Sequence, residues 1–146
     1  MAIAFLTADT ALIGEENLRS IAEVFSSFIR ADVVEIEIDT LSPKEMRELN
    51  LQQRGIDSST DVLSFPLLDS LADLTNDMPV LLGSIVICPE EAALRDETLS
   101  QLVVHGILHL LGGDHESSPE DWICMEHKAL LELGIRGIEV PGTETW

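Results

Sequence analysis

Positive charge is scarce in this chain of 146 residues. Eight Lys and Arg stand against 27 Asp and Glu, for a net charge of −19. A surface this acidic repels phosphate at long range and argues against a non-specific nucleic-acid binder held by a basic face. Cysteine is scarce too. Cys88 and Cys124 lie far apart, form no metal-type pair and are expected to be reduced, mostly buried thiols. Long apolar runs are missing: none approaches the roughly 18 residues of a membrane-spanning helix, so no membrane partner is expected. The opening MAIAFLTADT has neither a basic stretch nor a long apolar one, so no signal peptide is expected and the cytoplasm is the default location. No repeat, low-complexity tract or composition break divides the chain, and 1–146 reads as one domain.

What is present is patterned. Ala2–Leu6 is a short apolar run with the look of a strand. From Glu15 to Arg30, Leu18, Ile21, Ala22, Val24, Phe25, Phe28 and Ile29 recur at helical spacing. In DVVEIEID (Asp32–Asp39), Val34, Ile36 and Ile38 alternate with Glu35 and Glu37, which predicts a half-buried strand. Ser42-Pro43-Lys44-Glu45 predicts a helix start with Ser42 as cap and Glu45 closing a capping box. That helix runs toward Gln53, before the break at Arg54-Gly55-Ile56-Asp57. Thr60–Phe65 and Val80–Cys88 predict two more strands, joined by a polar loop with Asp69, Asp73, Asn76 and Asp77. Glu97–Leu111 predicts a helix apolar almost all round and therefore buried. The last helix starts at Ser118-Pro119 and stops at Gly134. Without a clean βαβ repeat, the expectation is an α/β domain of the α+β type: a small mixed four-stranded sheet packed with about five helices.

The chemistry concentrates in HGILHLLGGDH, His105–His115, which holds three of the four histidines. His105 and His109 stand one turn apart on one helix face. Gly112 and Gly113 permit a turn that brings His115 back beside them. A lone buried histidine is usually a satisfied core residue. Three in one core would each carry a desolvated nitrogen with no return. Metal coordination removes that cost, so His105, His109 and His115 are expected to hold one zinc or another divalent transition metal, with water in the fourth position. Metzincin proteases share the spacing but use H-E-x-x-H, with the Glu as base. Here Gly106 stands in that place, which counts against a zinc peptidase or amidase. Asp114 and Glu116 adjoin the third histidine as surface carboxylates able to orient a ligand, and His127 on the last helix reads as solvated.

These residues resemble the YbeY family, bacterial metal-dependent endoribonucleases of ribosomal RNA maturation and ribosome quality control. The resemblance extends to Leu49-Asn50, Arg54-Gly55 and TDVLSFP (Thr60–Pro66), and to Leu82-Gly83 with Ile85-Val86-Ile87. It implies that His105, His109 and His115 bind the metal, that Arg54 faces the metal cleft and is linked to activity, and that the fold is zinc-hydrolase-like. His105 and Arg54 are the expected catalytic positions. Two departures stand out: Ser84 replaces an Asp after Leu-Gly, and Gly113 replaces an aromatic residue before Asp114.

The resemblance implies cleavage of single-stranded RNA rather than DNA. The substrate would be precursor ribosomal RNA, at the 3′ end of the small-subunit species, with a ribosomal subunit or assembly proteins as partners. Arg54 would grip the phosphate, and no general base is evident. Lys44, Arg47 and Arg54 would line one side of their helix, and a solvated face explains Lys44 and Arg47 equally well. Against the enzyme reading stands a non-catalytic zinc protein that docks on ribosome-assembly partners. For Arg54 the plain alternative is a surface arginine paired with a local carboxylate, Asp57 being one candidate.

Overall fold

The computed structural model describes residues 3–27, 34–67, 80–111 and 119–138. Ten elements follow in chain order: β1 (Ile3–Leu6), α1 (Thr10–Ile13), α2 (Glu15–Ser26), β2 (Val34–Thr40), α3 (Pro43–Arg54), β3 (Val62–Pro66), β4 (Val80–Ile87), α4 (Pro89–Leu94), α5 (Leu99–Leu111) and α6 (Pro119–Ile135). The sheet order is β1-β2-β4-β3. β1, β2 and β4 run parallel, while β3 joins β4 antiparallel at the edge. The expected mixed four-stranded sheet is present. Six helices appear among the described residues against about five expected, because the short α1 and α4 carry little periodicity.

Strand alternation sorts the side chains into layers. Val34, Ile36, Ile38, Ile85 and Ile87 point to one face, where they meet α2, α5 and the Ala129–Leu133 side of α6. Leu63 and Val86, paired in register, point to the other face, where Met46 of α3 covers them together with Cys88. α5 and α3 therefore lie on opposite sides of the sheet. Fully burying a residue such as Ile21, Phe25 or Ile107 contributes roughly 1.5–3 kcal/mol each, so burial rather than helix propensity fixes α2 and α5.

Local signals set the ends of α3. The Ser42 Oγ accepts the Glu45 N–H at 3.2 Å, and the Ser42 N–H donates to Glu45 Oε1 at 3.1 Å, which is the expected capping box. At the far end Gly55 takes φ 71°, a left-handed conformation that a side chain would strain.

Several boundaries differ from the sequence reading. α5 begins at Leu99, leaving Glu97 outside it. α6 passes through Gly134, and the positive φ falls instead at Gly137. Cys88 is buried as expected, but Cys124 is exposed, on the outward side of α6. The 66–79 loop, apart from 66 and 67, and the residues 112–118 lie outside the described residues.

Candidate metal and phosphate site

α5 turns its apolar sides to the sheet and to α2, burying Leu102, Val103, Val104, Ile107, Leu108, Leu110 and Leu111. One stripe is left over. Gln101, His105 and His109, spaced by four, share it. The helix is buried as expected, yet its histidines occupy the open side: His105 is half-buried and His109 exposed. An ion bound there is reached from solvent.

The two imidazoles converge. Their Nε2 atoms stand 2.9 Å apart, with ring centroids at 4.6 Å and planes inclined by 42°. Two nitrogens at about 2.0–2.1 Å from one tetrahedral zinc lie about 3.3 Å apart, so a few tenths of an ångström of relaxation fits the pair to a shared ion. Protonation is arranged to match. Burial, with the neighbouring His109, pushes His105 down to about 4, and Asp61 opposes this only in part. Burial also lowers His109. Both rings are neutral near pH 7; at 2.9 Å one Nε2–H donates to the other Nε2, and a change of tautomer turns both lone pairs toward an ion. Among the described residues no group of three or more His, Cys, Asp and Glu surrounds a common point. The expected third ligand, His115, lies outside those residues, as do Asp114, Glu116 and the Gly112-Gly113 bend. His127 is exposed, as read from sequence.

A second group of charges gathers at the start of β3, where sequence reasoning assigned none. The Asp61 carboxylate accepts the Val62 N–H at 2.8 Å and the Thr60 hydroxyl at 3.2 Å, and Arg95 Nη1 lies 3.9 Å away. Burial alone would raise Asp61. Its bonds from Glu97 and Val62 and the charge of Arg95 outweigh burial and hold it below the usual carboxylate range. Glu97 takes the opposite shift, pushed up to about 7 by burial and by Asp61. The pair thus shares a proton, with the Glu97 carboxyl donating to Asp61. Asp61 stands inside TDVLSFP, a motif legible in the sequence, but nothing in the sequence brings Glu97 to it.

Arg54 is the last residue of α3, and its side chain is exposed. The local partner considered for it is taken. Arg47 Nε and Nη2 donate to the two Asp57 carboxylate oxygens at 2.7 and 3.1 Å. The plain alternative for Arg54, a local pair with Asp57, is not formed: Asp57 pairs with Arg47, two helical turns earlier on the same side. Seven residues carry the chain from Arg54 to Asp61, whose charge is felt by His105. The Ser84 departure falls away from the histidines. Its hydroxyl donates to Glu37 Oε2 at 3.1 Å, on the sheet face turned from α5.

Similarity to known proteins places this mixed α/β domain, with its imidazole pair on the open stripe of α5, among the endoribonucleases. Residues 8–132 match the family model described as Endoribonuclease YbeY, and the chain belongs to the YbeY family. It is 37% identical over 130 residues to the Endoribonuclease YbeY of Rhodopseudomonas palustris strain BisA53, covering 81% of this chain and 75% of that one. It is 43% identical over 115 residues to that of Finegoldia magna, covering 71% and 72%. Among solved structures it resembles the solution structure of TM1509 from Thermotoga maritima, with TM-score 0.55 and 26% identity over 93% of this chain and 91% of that one.

Proposed function

We propose that this chain is a metal-dependent endoribonuclease that hydrolyses single-stranded RNA in the cytoplasm, with precursor ribosomal RNA as its substrate and a ribosomal subunit as the partner that delivers it. The observation that carries the reading is the convergence of the neutral His105 and His109 Nε2 atoms on the solvent side of α5, in a chain of the YbeY family. His105, His109 and His115 would hold one zinc or a similar divalent ion. Such an ion, when bound, supplies Lewis-acid polarisation of a phosphate oxygen and lowers the pKa of water.

The chain's own residues do the rest. The two imidazoles donate lone pairs from a helix fixed by its buried sides, so the site is rigid before substrate arrives. Arg54 binds the phosphate with a planar fork of donors and stabilises charge developing on its oxygens. The surface charge of −19 opposes RNA at long range, which favours delivery by a partner over capture from solution. Cation supply is thinner than the sequence suggests, since Arg47 is neutralised by Asp57. Gly106 speaks against a peptidase of the H-E-x-x-H type: position 106 faces the Ile85 side chain, so a carboxylate there would enter the sheet rather than the site.

Metal analysis paired with cleavage of a single-stranded RNA by wild type and His109→Ala tests the reading. One ion per chain with RNA cleavage, both lost in His109→Ala, is the expected result. No cleavage by metal-loaded wild type, with or without ribosomal subunits, would overturn the enzyme in favour of a docking protein.

A further inference from the structure

Among the described residues, four of the five arginines are paired with carboxylates: Arg19 with Glu15 and Glu16, Arg47 with Asp57, Arg95 with Glu91 and Asp61, Arg136 with Glu23 and Glu132. Arg54 is the exception, in a chain with 27 Asp and Glu. The next two acids after it in sequence are Asp57 and Asp61. Both are engaged elsewhere, Asp61 by Val62, Thr60 and Glu97, and Asp57 by Arg47.

The turn is built to keep Asp57 there. After Arg54 the left-handed Gly55 reverses the chain, and the Gly55 N–H donates to the Leu51 carbonyl at 3.0 Å. Asn50, 2% exposed, donates from Nδ2 to the Ser58 carbonyl at 2.9 Å. Residues 55–58 are thereby folded back along α3, and Asp57 comes to rest against Arg47. Arg47 and Arg54 lie seven residues apart, about two helical turns, so both side chains leave the same side of α3. Asp57 sits three residues from Arg54 and on that same side. Without Arg47, the arginine nearest to Asp57 in sequence is Arg54.

We propose that Arg47 is a positioning residue whose role is to hold Asp57 in a two-pronged ion pair and so keep the Arg54 guanidinium open for phosphate. The inference rests on the reading of Arg54 as the phosphate-binding group. It assigns Arg47 no contact with RNA. A bidentate pair is the geometry in which an exposed arginine and carboxylate hold each other best. Both Asp57 oxygens accept from Arg47, so the carboxylate is turned toward Arg47 and its charge is offset there.

Three metal-loaded variants test this: Arg47→Met, Asp57→Asn and the double variant, whose net charge equals that of wild type. Arg47→Met should raise the Kd and KM for a single-stranded RNA oligonucleotide about three- to tenfold, with kcat changed less. Asp57→Asn and the double variant should bind as wild type does. A double variant as weak as Arg47→Met would overturn the proposal, because Arg47 would then touch RNA itself. An Asp57→Asn as weak as Arg47→Met would overturn it too, because the pair would then only hold the turn. A second measurement needs no RNA. The Arg54 Nε–H, followed by NMR, should exchange rapidly with water in wild type and become protected in Arg47→Met alone. No protection there overturns the inference even if cleavage is intact. Protection without RNA cleavage by wild type sustains the inference and removes the functional reading instead.

Discussion

A Cβ placed on Gly106 would stand 2.7 Å from Ile85 Cδ1 and 2.8 Å from Cγ1 and Cγ2, so the bare backbone of α5 rests on the Ile85 side chain. This packing sets how near the histidines on either side of Gly106 come to the sheet. Ala at 106 gains about 1 kcal/mol of helix propensity. Overpacking a core costs about 1–3 kcal/mol, and three atoms inside 3.0 Å decide for the cost. Gly106→Ala should lower stability by about 1 kcal/mol or more in urea unfolding and weaken metal binding. Gly106→Glu should lose more, since it drives a carboxylate among apolar groups. Unchanged midpoints would show that α5 stands clear of Ile85.

The ligand assignment gives a clean contrast. His105→Ala, His109→Ala and His115→Ala should each abolish retention of the ion after dialysis, while His127→Ala, on the exposed side of α6, should keep one ion per chain. Full occupancy in any of the first three removes that histidine from the site.

Much of this architecture was readable in the residues, and the reasons are specific. The Val34–Ile38 alternation and the Ser42-Pro43-x-Glu45 cap each state a local geometry, and both elements formed where expected. The His105–His109 spacing likewise forces proximity on any helix. Three things were hidden. Periodicity shows that α5 is buried, but not that its histidines take the one stripe left open. Partner choice among charges needs coordinates: Asp57 is nearer in sequence to Arg54, yet helix pitch and the Gly55 reversal give it to Arg47. The Asp61–Glu97 pair joins residues 36 positions apart, with no motif between them.

Neutral imidazoles imply a definite pH response in the metal-free chain. His105 is pushed down to about 4 from an ordinary 6.5. The unfolded chain therefore binds more protons between those values, and stability falls as pH drops from about 6.5 toward 4. His105→Ala should show a shallower fall over that window. Metal should also be held below the pH at which an unperturbed imidazole would release it. Parallel stability curves for wild type and variant would contradict the depressed value.

Glu97 carries the opposite sign. Its carboxyl is pushed up to about 7 from 4.5, so the folded chain holds the extra proton and the associated stability is present below about 4.5. That stability drains away as pH rises through 7. Glu97→Gln keeps a neutral donor toward Asp61 at every pH. It should match wild type near pH 4.5 and exceed it by on the order of 1–2 kcal/mol at pH 8, allowing for partial exposure. Thermal unfolding of both proteins across that range checks this, and a gap that does not widen with pH would count against a shared proton.

Arg54 decides between an enzyme and a docking protein. Its place is unusual for a surface arginine: it closes α3, it is followed by a rigid left-handed turn, and the neighbouring carboxylate is held by another residue. If the open guanidinium binds the scissile phosphate, Arg54→Ala should keep both the fold and the metal, because the side chain is exposed and supplies no ligand. It should nevertheless slow cleavage of single-stranded RNA on the order of a hundredfold, since the variant lacks the guanidinium that offsets charge developing in the transition state. Arg54→Lys should recover only part of that rate, because an ammonium cannot reproduce the two-pronged grip. Single-turnover cleavage, with metal content measured on the same samples, reads both quantities at once. Equal rates for Arg54→Ala and wild type at equal metal occupancy would take Arg54 out of the reaction and leave the histidine pair to act without it.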